Sequence, residues 1–186
     1  MNPLQVKKKV IAQLAKIQLK KCVYTFVSQP EDYPTVNKSI ISYLTKNLKF
    51  CGIYVSLNNS CKTMLEMFDQ EKIDTKRLLF IESTSQGQKS EVSNCISISS
   101  NQSLTELSLS ISEACKNDRI KFIFFDSVST LLIYNNLETT ERFIHYMVNK
   151  IKNLGFLMIL ISIDEEKSNK LVPLLSQFCD EIIKIK

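Results

Sequence analysis

Short apolar runs alternate along this chain with longer segments in which apolar residues recur every three or four positions. Runs rich in β-branched and aromatic residues predict strands, and a period of 3.6 residues predicts amphipathic helices. Strands that alternate with helices indicate βαβ units and a parallel sheet. The predicted strands are Cys22–Val27, Gly52–Leu57, Arg77–Glu82, Cys95–Ile98, Ile120–Phe125, Phe156–Ile161 and Glu181–Ile185.

Two of these strands are apolar on both faces, as central strands of a parallel sheet are when helices cover both sides. Residues 122–125 and 156–161 carry this pattern. We therefore predict an α/β fold, a three-layer α/β/α sandwich with a mainly parallel central sheet, as one domain over residues 22–186. The predicted helices are Pro34–Leu48, Cys61–Gln70, Ser103–Cys115, Glu138–Leu154 with Gly155 at its C′ position, and Lys167–Phe178. The polar segment Ser83–Ser93 predicts a surface loop.

A separate basic amphipathic helix is predicted before this domain, within residues 1–21. Val6, Val10, Leu14 and Ile17 share one helical face of the segment Leu4–Lys21. The simplest interpretation is a helix packed on the α/β domain or on a neighbouring subunit, with its lysines in solvent. The alternatives are contact with an anionic membrane surface or with nucleic acid.

The net charge of +5 belongs to this first segment. It carries six lysines and no acid, so the remaining 18 basic residues (24 minus 6) face 19 acidic residues in a nearly neutral body. This balance excludes a nucleic-acid surface that covers the whole domain. The six lysines are Lys7, Lys8, Lys9, Lys16, Lys20 and Lys21.

The six cysteines are widely spaced and form no CxxC pair, and the chain has a single histidine. This spacing argues against a zinc site, and several cysteines fall in apolar segments where a thiol behaves as a small hydrophobe. No apolar run reaches the length of a transmembrane helix, and the first residues lack the features of a secretion signal. We expect a cytoplasmic protein in a reducing compartment.

The polar residues at the strand ends are the candidates for chemistry, because ligands of open parallel sheets bind beyond the carboxyl ends of the strands. The central strand ends in Asp126 and Ser127, within the segment KFIFFDSVSTLL. The other strand ends carry Ser28–Asp32, Asn58 and Asn59, Glu82 and Ser83, and Ser162 and Asp164.

The chain resembles the KaiC/RadA-type branch of the RecA-like P-loop ATPases over roughly residues 20–186. The segments that carry the resemblance are GIYVSLNNS (residues 52–60) with the following helix and the RLLFIES strand, FIFFDSVSTLL (122–132), and residues 155–162 together with CDEIIKIK (179–186). The resemblance implies a RecA-like P-loop NTPase fold. It also implies that Asp126 stands at the Walker B position, which holds the Mg²⁺ of bound ATP.

Two departures from that family lie in the catalytic parts. The phosphate loop GxxxxGK[ST] needs glycines, whereas residues 28–39 contain none. Pro30 and Pro34 remove backbone donors there, and Glu31 and Asp32 place negative charge where phosphate would lie. Two such charges about 4 Å apart repel by roughly 4 kcal/mol at an effective dielectric of 20.

The second departure follows the strand Gly52–Leu57. The family carries glutamates there, one of which polarises the attacking water, but this chain has Asn58 and Asn59. An amide is not a general base at neutral pH. We therefore expect no catalytic residue, no metal and no cofactor, and a vestigial nucleotide and Mg²⁺ site formed by Asp126, Ser127, Lys38, Ser39, Asn58 and Asn59.

Three functions remain open from the sequence. The first is a non-catalytic RecA/KaiC-like pseudo-ATPase that acts as a protein-interaction or regulatory module, as a homo-oligomer or with a protein partner. The second is an unconventional ATPase that binds ATP and Mg²⁺ through Asp126, Lys38 and Ser39. The third is an adaptor that contacts nucleic acid or a membrane surface through the six N-terminal lysines.

Overall fold

The fold is described from a computed structural model, which covers residues 1–83, 92–100, 102–165 and 170–185. The strands are β1 (Val23–Ser28), β2 (Cys51–Ser56), β3 (Leu78–Ser83), β4 (Cys95–Ile98), β5 (Ile120–Asp126), β6 (Leu157–Ile163) and β7 (Glu181–Ile185). The helices are α1 (Pro3–Leu14), α2 (Tyr33–Ser42), α3 (Cys61–Gln70), α4 (Leu104–Ala114), α5 (Leu131–Tyr134), α6 (Leu137–Leu154) and α7 (Leu171–Leu175).

The seven strands form one parallel sheet in the order β4-β3-β2-β5-β6-β1-β7. Helices α1, α2 and α3 bury their apolar side chains against one face, and α4, α6 and α7 cover the other. The predicted α/β class and the three-layer α/β/α sandwich are confirmed, and the architecture is consistent with a RecA-like sandwich. None of the described helices combines the length and apolarity needed to cross a bilayer.

Helix α1 is part of the body of the molecule. Its stripe of Val6, Val10 and Leu14 is buried in the same apolar cluster as side chains of α2 and β7. The side chain of Asn2 accepts the N–H of Leu4 and caps the helix, and Pro3 occupies its first turn, where a missing N–H costs nothing.

This helix ends at Leu14, earlier than the predicted end at Lys21. Beyond it, the N–H of Gln18 donates to the Tyr24 hydroxyl at 2.9 Å, and Lys21 adopts a left-handed conformation with φ of 56°. Ile17 still packs against the apolar cluster, but from this non-helical segment. The basic residues are consequently divided: Lys7, Lys8 and Lys9 lie on the helix, and the other three follow it.

The remaining predicted helices differ from the structure mainly at their ends. The segment Pro34–Leu48 is helical as α2 but closes with a π-helical turn, Tyr43–Asn47. Gly155 has φ of 83° after α6, which confirms the predicted C′ glycine. The described part of the last predicted helix forms only α7, and residues 166–169 lie outside the described ranges, as does most of the predicted loop Ser83–Ser93.

The direction of the crossovers reverses between β2 and β5, which are neighbours in the sheet. From β2 the chain crosses through α3 on one face towards β3, and from β5 it crosses through α6 on the other face towards β6. In open α/β sheets the crevice at such a switch point is where ligands bind. The residues that leave β2 and β5 therefore line the crevice where a ligand of this sheet is expected.

Candidate functional site at the carboxyl edge of the sheet

The link from β1 to α2 consists of Gln29, Pro30, Glu31 and Asp32 only. The backbone N–H groups of Asp32 and Tyr33 both donate to the carbonyl of Gln29, at 3.1 and 3.0 Å. A phosphate-binding loop instead points several free N–H groups at the anion. This short turn uses two of its donors internally and lacks a third at Pro30, so it presents no cradle for a phosphate.

Acidic side chains lie close to this turn. The carboxylate of Asp32 is buried and contacts the Met1 amino group at 3.2 Å. Asp164, at the end of β6, accepts a hydrogen bond of 2.8 Å from the Gln29 side chain. Asp164 therefore leaves a carboxylate beside the turn, whereas the charge of Asp32 is paired with the Met1 ammonium.

Lys38 and Ser39 point away from the strand ends. The Lys38 ammonium pairs with Glu71 on α3 at 3.2 Å, and the Ser39 hydroxyl donates to the Thr35 carbonyl within α2 at 2.6 Å. Both residues line a cleft of about 300 Å³ between α1, α2 and the end of α3. Lys38 thus forms an ion pair between α2 and the residue that follows α3, and Ser39 bonds within its own helix.

The residue that α2 turns towards the switch point is Asn37. Its side-chain N–H donates to the Tyr54 hydroxyl at 2.8 Å, and that hydroxyl donates to the Asp126 carboxylate in a short hydrogen bond. All three side chains are buried, and Asp126 is only 1% exposed. We call this chain of bonds the Asn37–Tyr54–Asp126 relay.

The aromatic core holds Tyr54 in this position. Its ring packs against Phe68 of α3, Phe80 of β3 and Phe124 of β5, with centroid distances of 5.4, 5.6 and 5.1 Å. A buried tyrosine normally finds a partner for its hydroxyl group. Here the ring fills the core below the strand ends, and the hydroxyl closes over the carboxylate of β5.

The buried environment changes the charge of the relay. Burial raises the pKa of the Asp126 carboxyl from 3.8 to about 7, and burial also raises the pKa of Tyr54 far above its usual range. Near neutral pH the Asp126 carboxyl is thus divided between its protonated and ionised forms. Mg²⁺ prefers ionised oxygen ligands, and a carboxyl that is partly protonated at neutral pH is a weaker ligand than an ordinary aspartate.

Hydrogen bonds also join the chain segments that leave β2 and β5. The N–H of Leu57 donates to the Asp126 carbonyl at 3.0 Å, and the Thr130 hydroxyl donates to the Asn58 side chain at 3.0 Å. Ser56, the last residue of β2, holds Asn59 in place, because the Ser56 hydroxyl donates to the Asn59 carbonyl at 2.8 Å. The switch-point crevice is consequently bridged by protein groups.

Within the described part of the chain, four buried oxygens at this edge lack a hydrogen-bond partner: Ser28 Oγ, Asp126 Oδ1, Asn37 Oδ1 and Ser127 Oγ. Ser127 is fully buried, and the peptide bond that joins it to Asp126 is cis. Buried polar atoms without partners are uncommon and often mark a bound water or ion. These atoms are the part of the site that retains a capacity for a ligand.

A second cluster lies at the neighbouring strand ends. Cys61 at the start of α3 and Cys95 at the start of β4 form a disulfide, with their Cα atoms 6.4 Å apart. The buried carboxylate of Glu82, on β3, accepts hydrogen bonds from the N–H of Cys61 and from the Ser97 hydroxyl. The sheet brings together these two cysteines, which lie 34 positions apart in the sequence.

The comparison with known families covers most of these residues. The profile of a family of unknown function, DUF7504, matches residues 60–185. The chain belongs to this family. No match was found among curated proteins. In this DUF7504 chain the matched segment includes Cys61, Glu82, Cys95 and Asp126, whereas the turn between β1 and α2 precedes it.

The sequence identified only part of the site in this DUF7504 chain. Asp126, Asn58, Asn59 and Glu82 were placed at the carboxyl edge from their positions after predicted strands, and they lie there. Tyr54 and Asn37 were missed, and the available signal was a tyrosine near the end of an otherwise apolar strand, whose hydroxyl needs a partner.

Proposed function

We propose that this protein is a non-catalytic member of the KaiC/RadA-type RecA-like group that acts as a protein-interaction module. We take Asp126 as the counterpart of the Walker B carboxylate, and the observation that supports the proposal is the Asn37–Tyr54–Asp126 relay, in which the Tyr54 hydroxyl caps this carboxylate. The order of elements and the parallel sheet agree with such a scaffold, and the short β1–α2 turn agrees with the loss of phosphate binding.

Catalysis has no support at this edge. Hydrolysis requires a group that accepts a proton from water, and the residues after β2 are the amides Asn58 and Asn59. It also requires a cation that neutralises the charge of the phosphates. The Lys38 ammonium already forms an ion pair with Glu71. Among the residues that the structure describes, this edge of the sheet presents no base, phosphate cradle or free cation suited to phosphoryl transfer.

The best surface for interaction lies on the outer side of α4 and α6. The Lys150 ammonium of α6 bonds to the Ser112 hydroxyl of α4, so these helices are direct neighbours. Leu109 and Tyr146 lie one turn before those residues and are 63% and 52% exposed. Both side chains leave apolar area in solvent on adjacent helices, and we infer that this face joins copies of the chain.

We expect self-assembly that does not depend on nucleotide. Light scattering of the full chain should give a mass above that of the monomer, and the mass should be equal with and without Mg-ATP. Leu109→Ser and Tyr146→Ser should lower the mass, because each replaces apolar contact area by a hydroxyl. Leu4→Ser is the matched control, since Leu4 is 60% exposed but lies on α1.

Two results would contradict this proposal. A mass that rises or falls when Mg-ATP is added would show that the chain senses nucleotide. A monomeric mass under both conditions, or an assembly that Leu109→Ser and Tyr146→Ser leave intact, would remove the α4–α6 face as the contact.

A second candidate is residual binding of a Mg-nucleotide at Asp126. The buried oxygens of Asp126, Asn37 and Ser127 that lack partners favour it, because a cation or its water shell would satisfy them. This candidate requires the Tyr54 hydroxyl to move off the Asp126 carboxylate. Direct binding measurements distinguish it from the first proposal.

A further inference from the structure

Three potential metal ligands converge beside the switch point. The sulfur atoms of Cys61 and Cys95 and a carboxylate oxygen of Glu82 all lie within 4.8 Å of one another. They come from α3, β4 and β3, three elements that are fixed in the sheet or packed upon it. The cluster is therefore built by the fold and does not depend on a surface loop.

The carboxylate of Glu82 is already oriented. One oxygen accepts the backbone N–H of Cys61, and the other accepts the Ser97 hydroxyl at 2.9 Å. A carboxylate has about four lone-pair positions, so both oxygens keep capacity for a further ligand. Metal-binding carboxylates are characteristically held by hydrogen bonds of this kind.

The same carboxylate needs a cation. Glu82 is 3% exposed, and no lysine or arginine forms an ion pair with it within residues 1–83, 92–100, 102–165 and 170–185. Charges buried in proteins are normally paired or coordinate a metal. A bound cation would complete the environment of Glu82.

The two cysteines suit the same cation. In a tetrahedral zinc site with Zn–S bonds of about 2.3 Å, two sulfurs lie roughly 3.8 Å apart. The Cα separation of 6.4 Å allows the sulfurs to reach that spacing once the disulfide opens. Cys61 also occupies the first position of the ten-residue helix α3, where the helix dipole favours a thiolate.

We propose that Cys61, Cys95 and Glu82 bind one Zn²⁺ in the reduced protein, and that the disulfide is the oxidised, metal-free form. Two thiolates and one carboxylate suit zinc, and three protein ligands leave the fourth tetrahedral position to water. The proposal is independent of the interaction function above.

The interconversion balances with a dithiol as reductant. The dithiol transfers two electrons and two protons to the Cys61–Cys95 bond, the S–S bond breaks, and the reductant becomes a disulfide. Zn²⁺ then displaces one proton from each thiol and forms two Zn–S bonds. Oxidation reverses the sequence and releases the ion.

The test uses the full chain, reduced with a phosphine and desalted without oxygen. Calorimetric titration with Zn²⁺ alone should give one ion per chain. Titration with Co²⁺ alone should give the thiolate-to-metal charge-transfer absorption and the strong visible bands of tetrahedral cobalt. The oxidised protein should bind neither ion, because its sulfurs are bonded to each other.

Variants assign the ligands. Replacing a hydrogen-bond partner of a metal ligand costs about 10- to 100-fold in affinity, so loss of a ligand in Cys95→Ser should cost more than about 100-fold. Glu82→Gln keeps an acceptor for the Cys61 N–H and should retain the charge-transfer band while weakening zinc binding. Cys115→Ser is the control, because that half-buried thiol packs on the opposite face of the sheet.

The proposal is overturned if the reduced wild-type chain binds no zinc. It is also overturned if Cys95→Ser and Glu82→Gln, shown to be folded by circular dichroism, bind zinc as tightly as the wild type. Cys95 is only half-buried, so its replacement by serine leaves the core intact.

Discussion

Leu14→Ala should destabilise the protein by about 2–5 kcal/mol. Leu14 is buried on the last turn of α1, in the apolar cluster that also contains side chains of α2 and β7. The substitution removes apolar area and leaves a cavity that the sheet cannot close. Urea unfolding followed by circular dichroism measures the change in the free energy of unfolding.

Leu4→Ala supplies the matched control on the same helix. Leu4 is exposed, and substitutions at such positions usually change stability by less than about 0.5 kcal/mol. The difference between the two variants thus measures how firmly α1 is packed on the body. Equal, small effects would mean that α1 is detached in solution and free to dock elsewhere.

Asp126→Asn should stabilise the protein at alkaline pH and have its smallest effect near pH 4. Because burial raises the pKa of Asp126 from 3.8 to about 7, the folded state binds more protons than the unfolded state between these values. The stability of the wild type therefore falls as pH rises from about 4 to 7, and this contribution is constant above 7. The amide side chain of the Asp126→Asn variant does not titrate, so the stability of the variant does not fall in this way over the same pH range.

The expected size of the stability difference follows from the gap between the ordinary and the raised pKa of Asp126. Each unit of pKa difference corresponds to about 1.4 kcal/mol, and we expect the advantage of Asp126→Asn to grow by about 2–3 kcal/mol between pH 5 and pH 8. Unfolding free energies of the two proteins at several pH values give this difference directly.

Asp118→Asn is the control for Asp126→Asn, because Asp118 is exposed at the turn before β5. Its effect should vary little with pH. A stability difference between the wild type and Asp126→Asn that is constant from pH 5 to pH 8 would contradict the raised pKa of Asp126.

The sheet could be predicted from the sequence because its strands carry a strong local signal. The apolar runs at 122–125 and 156–161 leave no face for solvent, and only central parallel strands accept that pattern. Gly155 likewise marks the end of α6 by itself, because the left-handed conformation there favours glycine. The sequence signals for these strands and for the end of α6 are local, because they depend only on the residues that form each feature and on their near neighbours.

The site could be predicted only in part, since its bonds depend on register. Tyr54 reaches Asp126 because β2 and β5 are paired with Tyr54 opposite Phe124 and Ser56 opposite Asp126. The sequence separation of Tyr54 and Asp126 does not reveal that pairing. The end of α1 was misplaced for a similar reason, since Ile17 continues the helical stripe while the Gln18 backbone bonds to Tyr24.

The cysteine cluster illustrates the same limit. Cys61, Glu82 and Cys95 are separated by 21 and 13 residues. The sequence prediction of no zinc site considered only the short ligand spacings of known motifs. Pairing of β3 with β4 places Cys95 opposite Phe80 and Ser97 opposite Glu82. Only the folded chain therefore brings the three ligand atoms together.

The central claim is that the carboxyl edge of the sheet no longer binds a triphosphate. It is tested most directly by titrating the wild-type chain and Asp126→Ala into a fluorescent ATP analogue with Mg²⁺ and following the anisotropy. We predict no saturable change with either protein up to millimolar nucleotide. Saturable micromolar binding by the wild type that is lost in Asp126→Ala would contradict the claim and would assign a working nucleotide site to Asp126.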